Sequence, residues 1–446
     1  MSKAHPTTTL AAVALFALAG APALAQQASA ADLDRMMAVI EAQQAQIDAM
    51  RAELNALKAQ RAAPSPAPAQ LAVATAAPAA LPAAVPSAGD DDRTEAQMVA
   101  EGFTWSDRSG RSLTLSGQVN PAFNVVNDGK STDVFIVDND TSNTRFRLDA
   151  DAPLGETSLR ATIEIAASPN NSYDINQLTA QSDADFNVRR AEVTVRNDRY
   201  GRLQLGQGSS AADDTAEYDL SLVGGPIMYS GVADIAGGIL FTDGEDYSGT
   251  TVGDAFFNFD SGRLARIRYD SPMFGPFQGS VSFGQDDQWA AALTLGGDYG
   301  AWSGLSVGNF TLLAAASVYN PDDDNVDYAY AASASVLHDP TGFSLTLSTG
   351  GQKLDQGDDP SNVYAKLGWD TQFWPLGPIG FGIDYTRGDD ISSEGAEGTS
   401  YGIAAVQKVE RYNIDLYGQI RRYELDGVEP NLKNITVGTL GTRFTF

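Results

Sequence analysis

Leu159-Arg160-Ala161-Thr162-Ile163-Glu164-Ile165 puts four apolar side chains at every second position and three polar ones between them. Successive side chains of an extended chain point to opposite faces, so this period of two predicts a β-strand with one apolar and one wet face. The texture recurs on both sides. Upstream, Phe146, Leu148 and Ala150 alternate with Arg145, Arg147 and Asp149. Downstream, Ala191, Val193 and Val195 alternate with Arg190, Glu192, Thr194 and Arg196. From Leu113 to Phe446 about sixteen such segments follow one another, the first near 113–126 and 143–151 and the last near 432–446.

Alternation of this kind describes either a soluble β-sandwich or a membrane barrel. A sandwich of this length would repeat or subdivide, and no repeat or linker follows residue 110. The apolar positions are also rich in Ala, Gly and Tyr, which suits a lipid-facing surface better than a packed core. The expected fold is therefore an all-β transmembrane barrel of about sixteen antiparallel strands over 111–446. If the first strand rises from the periplasm, outer connections should be long and inner ones short. Residues 127–142, 169–185 and 207–261 read as long connections, and 151–155 and 197–200 as short ones. The connection near Asp286-Asp287 is short and breaks the rule, while Trp302 and Trp374 fall in inner turns, where an aromatic girdle belongs.

The segment ahead of the barrel reads differently. Lys3, the apolar run Leu10 to Ala19 and Ala23-Leu24-Ala25 make residues 1–25 a signal peptide, with a run too short to span a bilayer as a helix. Residues 26–62 carry a heptad, with Leu33, Ile40, Ile47 and Leu54 at a and Met36, Gln43, Met50 and Leu57 at d. This predicts a self-associating coiled coil. Residues 63–110 form an Ala/Pro-rich linker, with Pro64, Pro66, Pro68, Pro78, Pro82 and Pro86. The expected location is the outer membrane, with the coiled coil in the periplasm and within reach of peptidoglycan or periplasmic partners.

Composition narrows the function. A net charge of −28 excludes non-specific nucleic-acid binding, which needs cations to displace counterions. Cysteine is absent, and His338 is the one imidazole outside the signal peptide. A triad or a His-metal centre would have to use it alone, so the reading is of a non-enzyme with no cofactor.

The barrel region is similar to the trimeric Gram-negative general porins. Arg266-Ile267-Arg268-Tyr269-Asp270-Ser271-Pro272 with Phe274-Gly275-Pro276-Phe277 resembles their strand-to-turn element. Arg189-Arg190-Ala191-Glu192-Val193 with Tyr200-Gly201-Arg202-Leu203-Gln204-Leu205-Gly206 resembles their hairpin, Asp151 to Gly155 their first turn, and Leu440 to Phe446 their last strand. A coiled coil ahead of such a barrel also resembles the DcaP-like porins, implicated in uptake of small carboxylic acids. The resemblance implies a homotrimer in outer-membrane lipid, in contact with lipopolysaccharide, passing small hydrophilic solutes by diffusion. A mainly structural protein that tethers the envelope is the alternative.

In a porin, function is a field across a constriction. If the apolar positions face lipid, Arg145, Arg147, Arg160, Arg190, Arg196, Arg202, Arg266 and Arg268 face the lumen on strands two to six. Guanidinium stays charged in this setting, so the row is permanently positive. Some of these arginines are also free to pair with Glu164 and Glu192 or to sit in water near the periplasmic mouth. By resemblance the long third loop folds inward, bringing Asp213, Asp214, Glu217 and Asp219 opposite that wall. Acidic runs in the other outer loops, such as Asp322-Asp323-Asp324, are solvated or bridge divalent cations to lipopolysaccharide phosphates.

Overall fold

The computed structural model describes residues 102–182, 185–285, 287–296 and 304–446, all within the compact unit Gly89–Phe446. The expected signal peptide, the coiled coil, most of the linker, Asp286 and Trp302 lie outside the described residues.

The strands are β1 (Phe103–Ser106), β2 (Ser112–Val119), β3 (Pro121–Asn127), β4 (Thr132–Asp138), β5 (Arg145–Leu154), β6 (Thr157–Ser168), β7 (Asp185–Asn197) and β8 (Gly201–Ser209). After β9 (Leu240–Thr242) and β10 (Tyr247–Thr251) come β11 (Arg263–Asp270), β12 (Phe277–Gly284), β13 (Trp289–Leu295), β14 (Leu305–Val307), β15 (Phe310–Asn320) and β16 (Val326–His338). The last six are β17 (Phe343–Leu354), β18 (Ser361–Trp374), β19 (Gly377–Asp389), β20 (Glu397–Val409), β21 (Ile414–Asp426) and β22 (Ile435–Thr445).

All but β9 and β10 join one sheet, and β22 closes it by pairing with β21 on one side and with β2 and β3 on the other. β2 with β3, β4 with β5, and β13 with β14 are each one stave broken by an irregularity, and β1 adds a short rim piece to β2. The result is a closed antiparallel barrel of 16 staves.

The wall is inside-out relative to a soluble protein. In β17, Phe343, Leu345 and Leu347 are exposed on the outer face, while Ser344, Thr346 and Ser348 are buried on the inner one. Lipid receives the outer residues, so exposure to solvent in the bare chain is burial in hydrocarbon. At the end with the short turns, Phe343 stacks on Trp369, Trp369 on Phe381, and Phe373 meets Trp374, forming an aromatic belt. His338 belongs to the same belt, 4.9 Å from the Phe310 ring.

One connection differs from the sequence reading. Half of residues 127–142 are strand, because β4 follows a short turn and precedes a 3₁₀ turn at Asp140–Ser142. Thr132 to Asp138 hid from the alternation rule because both its faces are apolar. Val134 and Ile136 face outward, whereas Phe135 and Val137 are buried against the third loop.

That loop, residues 210–262, fills much of the barrel. Its apolar side chains Val223, Ile227, Met228, Ile235, Ile239 and Phe241 share one cluster with inward residues of β3, β4, β18 and β20 to β22. Side-chain to backbone hydrogen bonds lay it flat on the wall. The Tyr218 and Leu220 amides donate to Ser333 Oγ and Ser335 Oγ, both at 3.0 Å. Tyr423 Oη donates to the Val232 carbonyl (2.7 Å), and Asn124 Nδ2 to the Ile235 carbonyl (2.8 Å). Backbone polar groups buried in a lumen need such partners, and small inward Ser and Thr supply them without filling the space the loop occupies. The loop thus covers the inner wall of β15 to β22 and β3, and leaves β5 to β8 and β11 facing open volume.

Candidate functional site

Two cavities occupy that open volume. The one toward the turn end has about 660 Å³ and the one toward the loop end about 390 Å³. Their linings are opposite in character. Nine arginines and five carboxylates line the turn-end cavity. Three arginines and six carboxylates line the loop-end cavity, with Tyr173, Tyr229, Phe256 and Phe257. Arg145, Arg189 and Arg263 on the wall and Asp213 and Asp214 on the loop line both, so they mark the junction.

The arginines of the wall are arranged in pairs around single carboxylates. Arg147 and Arg189 both bind Glu164, the second at 2.7 Å. Arg190 and Arg266 both bind Glu192, the second at 2.5 Å. Arg202 and Arg268 bind Asp270 at 2.7 and 2.9 Å. The three carboxylates are fully buried behind the guanidiniums. Each unit therefore keeps one surplus positive charge, and the buried anion holds two planar forks in a set geometry. Gly208 makes room for the middle unit, since a Cβ there would lie 2.7 Å from Glu192 Oε2 and 2.9 Å from Arg266 Nη2.

The expected residues sort by depth. Arg145, Arg147, Arg160, Arg190, Arg196, Arg202 and Arg268 line the turn-end cavity, and Arg145 also the loop-end one. Arg160, bound to Asp151 at 2.7 Å, and Arg196, bound to Asp198 at 3.5 Å, are half-exposed beside the short turns. Arg266 departs from the expectation. It is fully buried and lines neither cavity, because its guanidinium donates to Glu192 and to the Ser209 and Gly206 carbonyls at the root of the loop. On the loop, Asp213 and Asp214 sit at the junction and Glu217 in the loop-end cavity, where Asn258 Nδ2 donates to it. Asp219 is a second departure. It is buried under the loop against Lys366 and accepts from the Ser221 amide and Thr346 Oγ1. It anchors the loop rather than facing either cavity.

Two junction residues escaped the sequence reading. Alternation allows one inward residue from Arg189-Arg190, but a β-bulge opposite Glu164 turns both inward. The doubled arginine inside a strand was the available signal. Arg263 opens β11 directly after Gly262, whose φ of 67° starts the strand there, and it lies 3.6 Å from Asp213.

Burial, and secondarily Asp213, pushes the Asp214 carboxyl up to about 6. Burial and then Asp140 push Asp234 up to about 7, although Tyr229 Oη donates to it. Both are ionised at pH 8 and lose their charge as pH falls through those values, while every arginine keeps its own. The junction, through Asp214, and the loop-end cavity, through Asp234, should become more positive on acidification. Preference for anions, read as the zero-current potential in a KCl gradient, is expected to rise between pH 8 and pH 5. A fall over that range would contradict the assignment of these two carboxyls to the ion path.

A family model described as Gram-negative porin matches residues 70–428. A chitoporin of Vibrio furnissii is 30% identical over 163 residues, a match that takes in 30% of this chain and 43% of that protein. Less than half of that relative's length is therefore spanned. Among solved structures, an anion-selective porin from Comamonas acidovorans superposes with a TM-score of 0.53 at 14% identity, covering 75% of this chain and 100% of that one. A loop-deletion form of OmpT from Vibrio cholerae gives 0.50 at 11% identity, covering 75% and 99%. These two likenesses concern the fold.

Proposed function

The chain belongs to the Gram-negative porin family and is a channel of the outer membrane; from that premise we propose that it is a passive diffusion pore for small hydrophilic solutes that favours small anionic ones, carboxylates among them. The observation that carries this is the division of the inner wall. The third loop covers the Ser- and Thr-lined side, and the side left open bears three arginine pairs on one carboxylate each. Selectivity is decided where the path is narrow, not by the protein's overall charge of −28. Part of the acidic excess lies in the outer loops other than the third, where fields fade within about 8–10 Å in physiological salt.

The assembly proposed is a homotrimer in lipopolysaccharide-bearing membrane, with the loop end outward. β1 starts at the turn end, where Phe103 pairs with Leu115, so the chain enters the barrel on the side assigned to the periplasm. This supports the reading that a coiled coil at 26–62 stands there.

The test is the zero-current potential of the full-length protein in planar bilayers under a KCl gradient. Wild type is expected on the anion side. Replacing both Arg190 and Arg202 with Ala removes the surplus charge of two of the three units, and the potential should move toward cations. A cation-selective wild type that the double variant leaves unchanged would sink the arginine-wall reading.

A further inference from the structure

The wall holds a fourth arginine pair, and the acceptor its two members share is not an anion. Arg145 Nη1 and Arg189 Nη1 both donate to one atom, Asn143 Oδ1, at 3.3 and 3.4 Å. In the other three pairs the bridging group is a carboxylate; here it is a neutral amide. Among the described residues Arg145 forms no ion pair, and its second hydrogen bond, to Ser142 Oγ, is 3.4 Å long. Glu164, already held by Arg147 and Arg189, and the guanidiniums of Arg189, Arg147 and Arg263 lie near Arg145, and Asp213 and Asp214 line the same junction.

Asn143 is buried, and its orientation is set from behind. Its Nδ2 donates to Asp140 Oδ1 at 3.2 Å, and Asn171 Nδ2 donates to the same oxygen at 2.8 Å. The amide oxygen is thereby turned toward the two guanidiniums. An amide oxygen gives two guanidiniums a hydrogen-bond acceptor but no compensating charge, so Arg145 has no carboxylate of its own at the junction of the cavities, and Arg189 shares Glu164 with Arg147.

We propose that Arg145 and Arg189, positioned by Asn143, form a saturable site for one oxyanion group, carboxylate or phosphate, of a passing solute. The oxyanion completes the fourth bridge, as Glu164, Glu192 and Asp270 complete the other three. The fork geometry selects two-oxygen anions over chloride, which offers a point charge. Asn143 is the specificity-determining residue, because an aspartate there would satisfy the pair internally. This rests on the anion-favouring pore proposed above and goes beyond it, since a diffusion pore need not bind anything.

The test uses single channels of the full-length protein in KCl, titrated separately with inorganic phosphate and with acetate. Wild type should show a chloride current that falls and then saturates, with phosphate and acetate each giving its own half-blocking concentration. Asn143→Asp should raise that concentration by about tenfold or more, the scale of one lost charge-assisted contact. Asn143→Ala, which removes the positioning oxygen but brings no charge, should weaken block by less than Asn143→Asp does. Arg145→Lys keeps the charge but loses the fork. It should keep the chloride potential and weaken block by phosphate and acetate. If the Asp and Ala variants weaken block equally, Asn143 is only structural and the proposal falls. If wild type is anion-selective but neither anion saturates, the site is wrong and the pore reading stands. If wild type is cation-selective, the pore reading itself fails. Heat-dependent mobility on gels checks that each variant forms a barrel.

Discussion

Arg145→Glu combined with Arg189→Gln should reverse the sign of the zero-current potential, turning an anion-favouring pore into a cation-favouring one. Both side chains line both cavities and so stand where the two meet. The combination removes three units of positive charge from the junction. A unit charge at about 4 Å is worth roughly 1 kcal/mol in bulk water and roughly 4 at an effective dielectric near 20. Three such changes exceed about 3 kcal/mol, more than a hundredfold in the relative occupancy of anion and cation. The choice of Gln at 189 matters. Glutamate there would face buried Glu164, whereas Gln leaves Glu164 still paired with Arg147. The same exchange at Arg160 and Arg196 should do little, because both are half-exposed beside the turns and already paired with Asp151 and Asp198. A reversal at the turn-end pair and none at the junction would place the selective point elsewhere.

The barrel was legible because its physics is local. Alternation over β5, β6 and β7 tells which side chains face lipid, and that one fact repeated around the sheet implies closure. What alternation reports is inside or outside, not whether the inside is wet. Arg266 and Arg268 occupy the same face of β11, yet the first is sealed at the loop root and the second lines a cavity. Nothing in the spacing separates them. The difference is made by where residues 210–262 come to rest, a contact between segments distant in the chain. Asp219 misled for the same reason: it lies five residues after Asp214 on one loop, but its partner Lys366 is on β18. The Ser-rich inner face of β16 and β17 was the overlooked signal. A lumen wall meant for solute carries charge, and a wall of Ser333, Ser335 and Ser348 is shaped to receive backbone. Glu164 and Glu192 were foreseen as partners for the arginines, and the structure adds that each one holds two.

Lys366 tests whether that seating of the loop sets the size of the pore. Its ammonium is fully buried, bound to Asp219 and donating to the Met228 carbonyl at 2.8 Å. It therefore ties two stretches of the loop to one stave. Lys366→Met should preserve volume and stem packing while leaving Asp219 buried with only the Ser221 amide and Thr346 Oγ1. Removing one partner of a buried pair costs about 3–5 kcal/mol, because the remaining charge loses its compensation. The barrel ladder does not depend on this pair, so the cost falls on the loop. It is expected to leave the wall of β16 to β18, with larger and noisier single-channel conductance and a lower temperature for loss of the compact form on gels. Adding Asp219→Asn removes the stranded charge and should recover much of the loss, a coupling that additive effects would not give. Were Lys366→Met to conduct and melt like wild type, the loop would be held by its apolar cluster alone, and the ion pair would have no part in defining the channel.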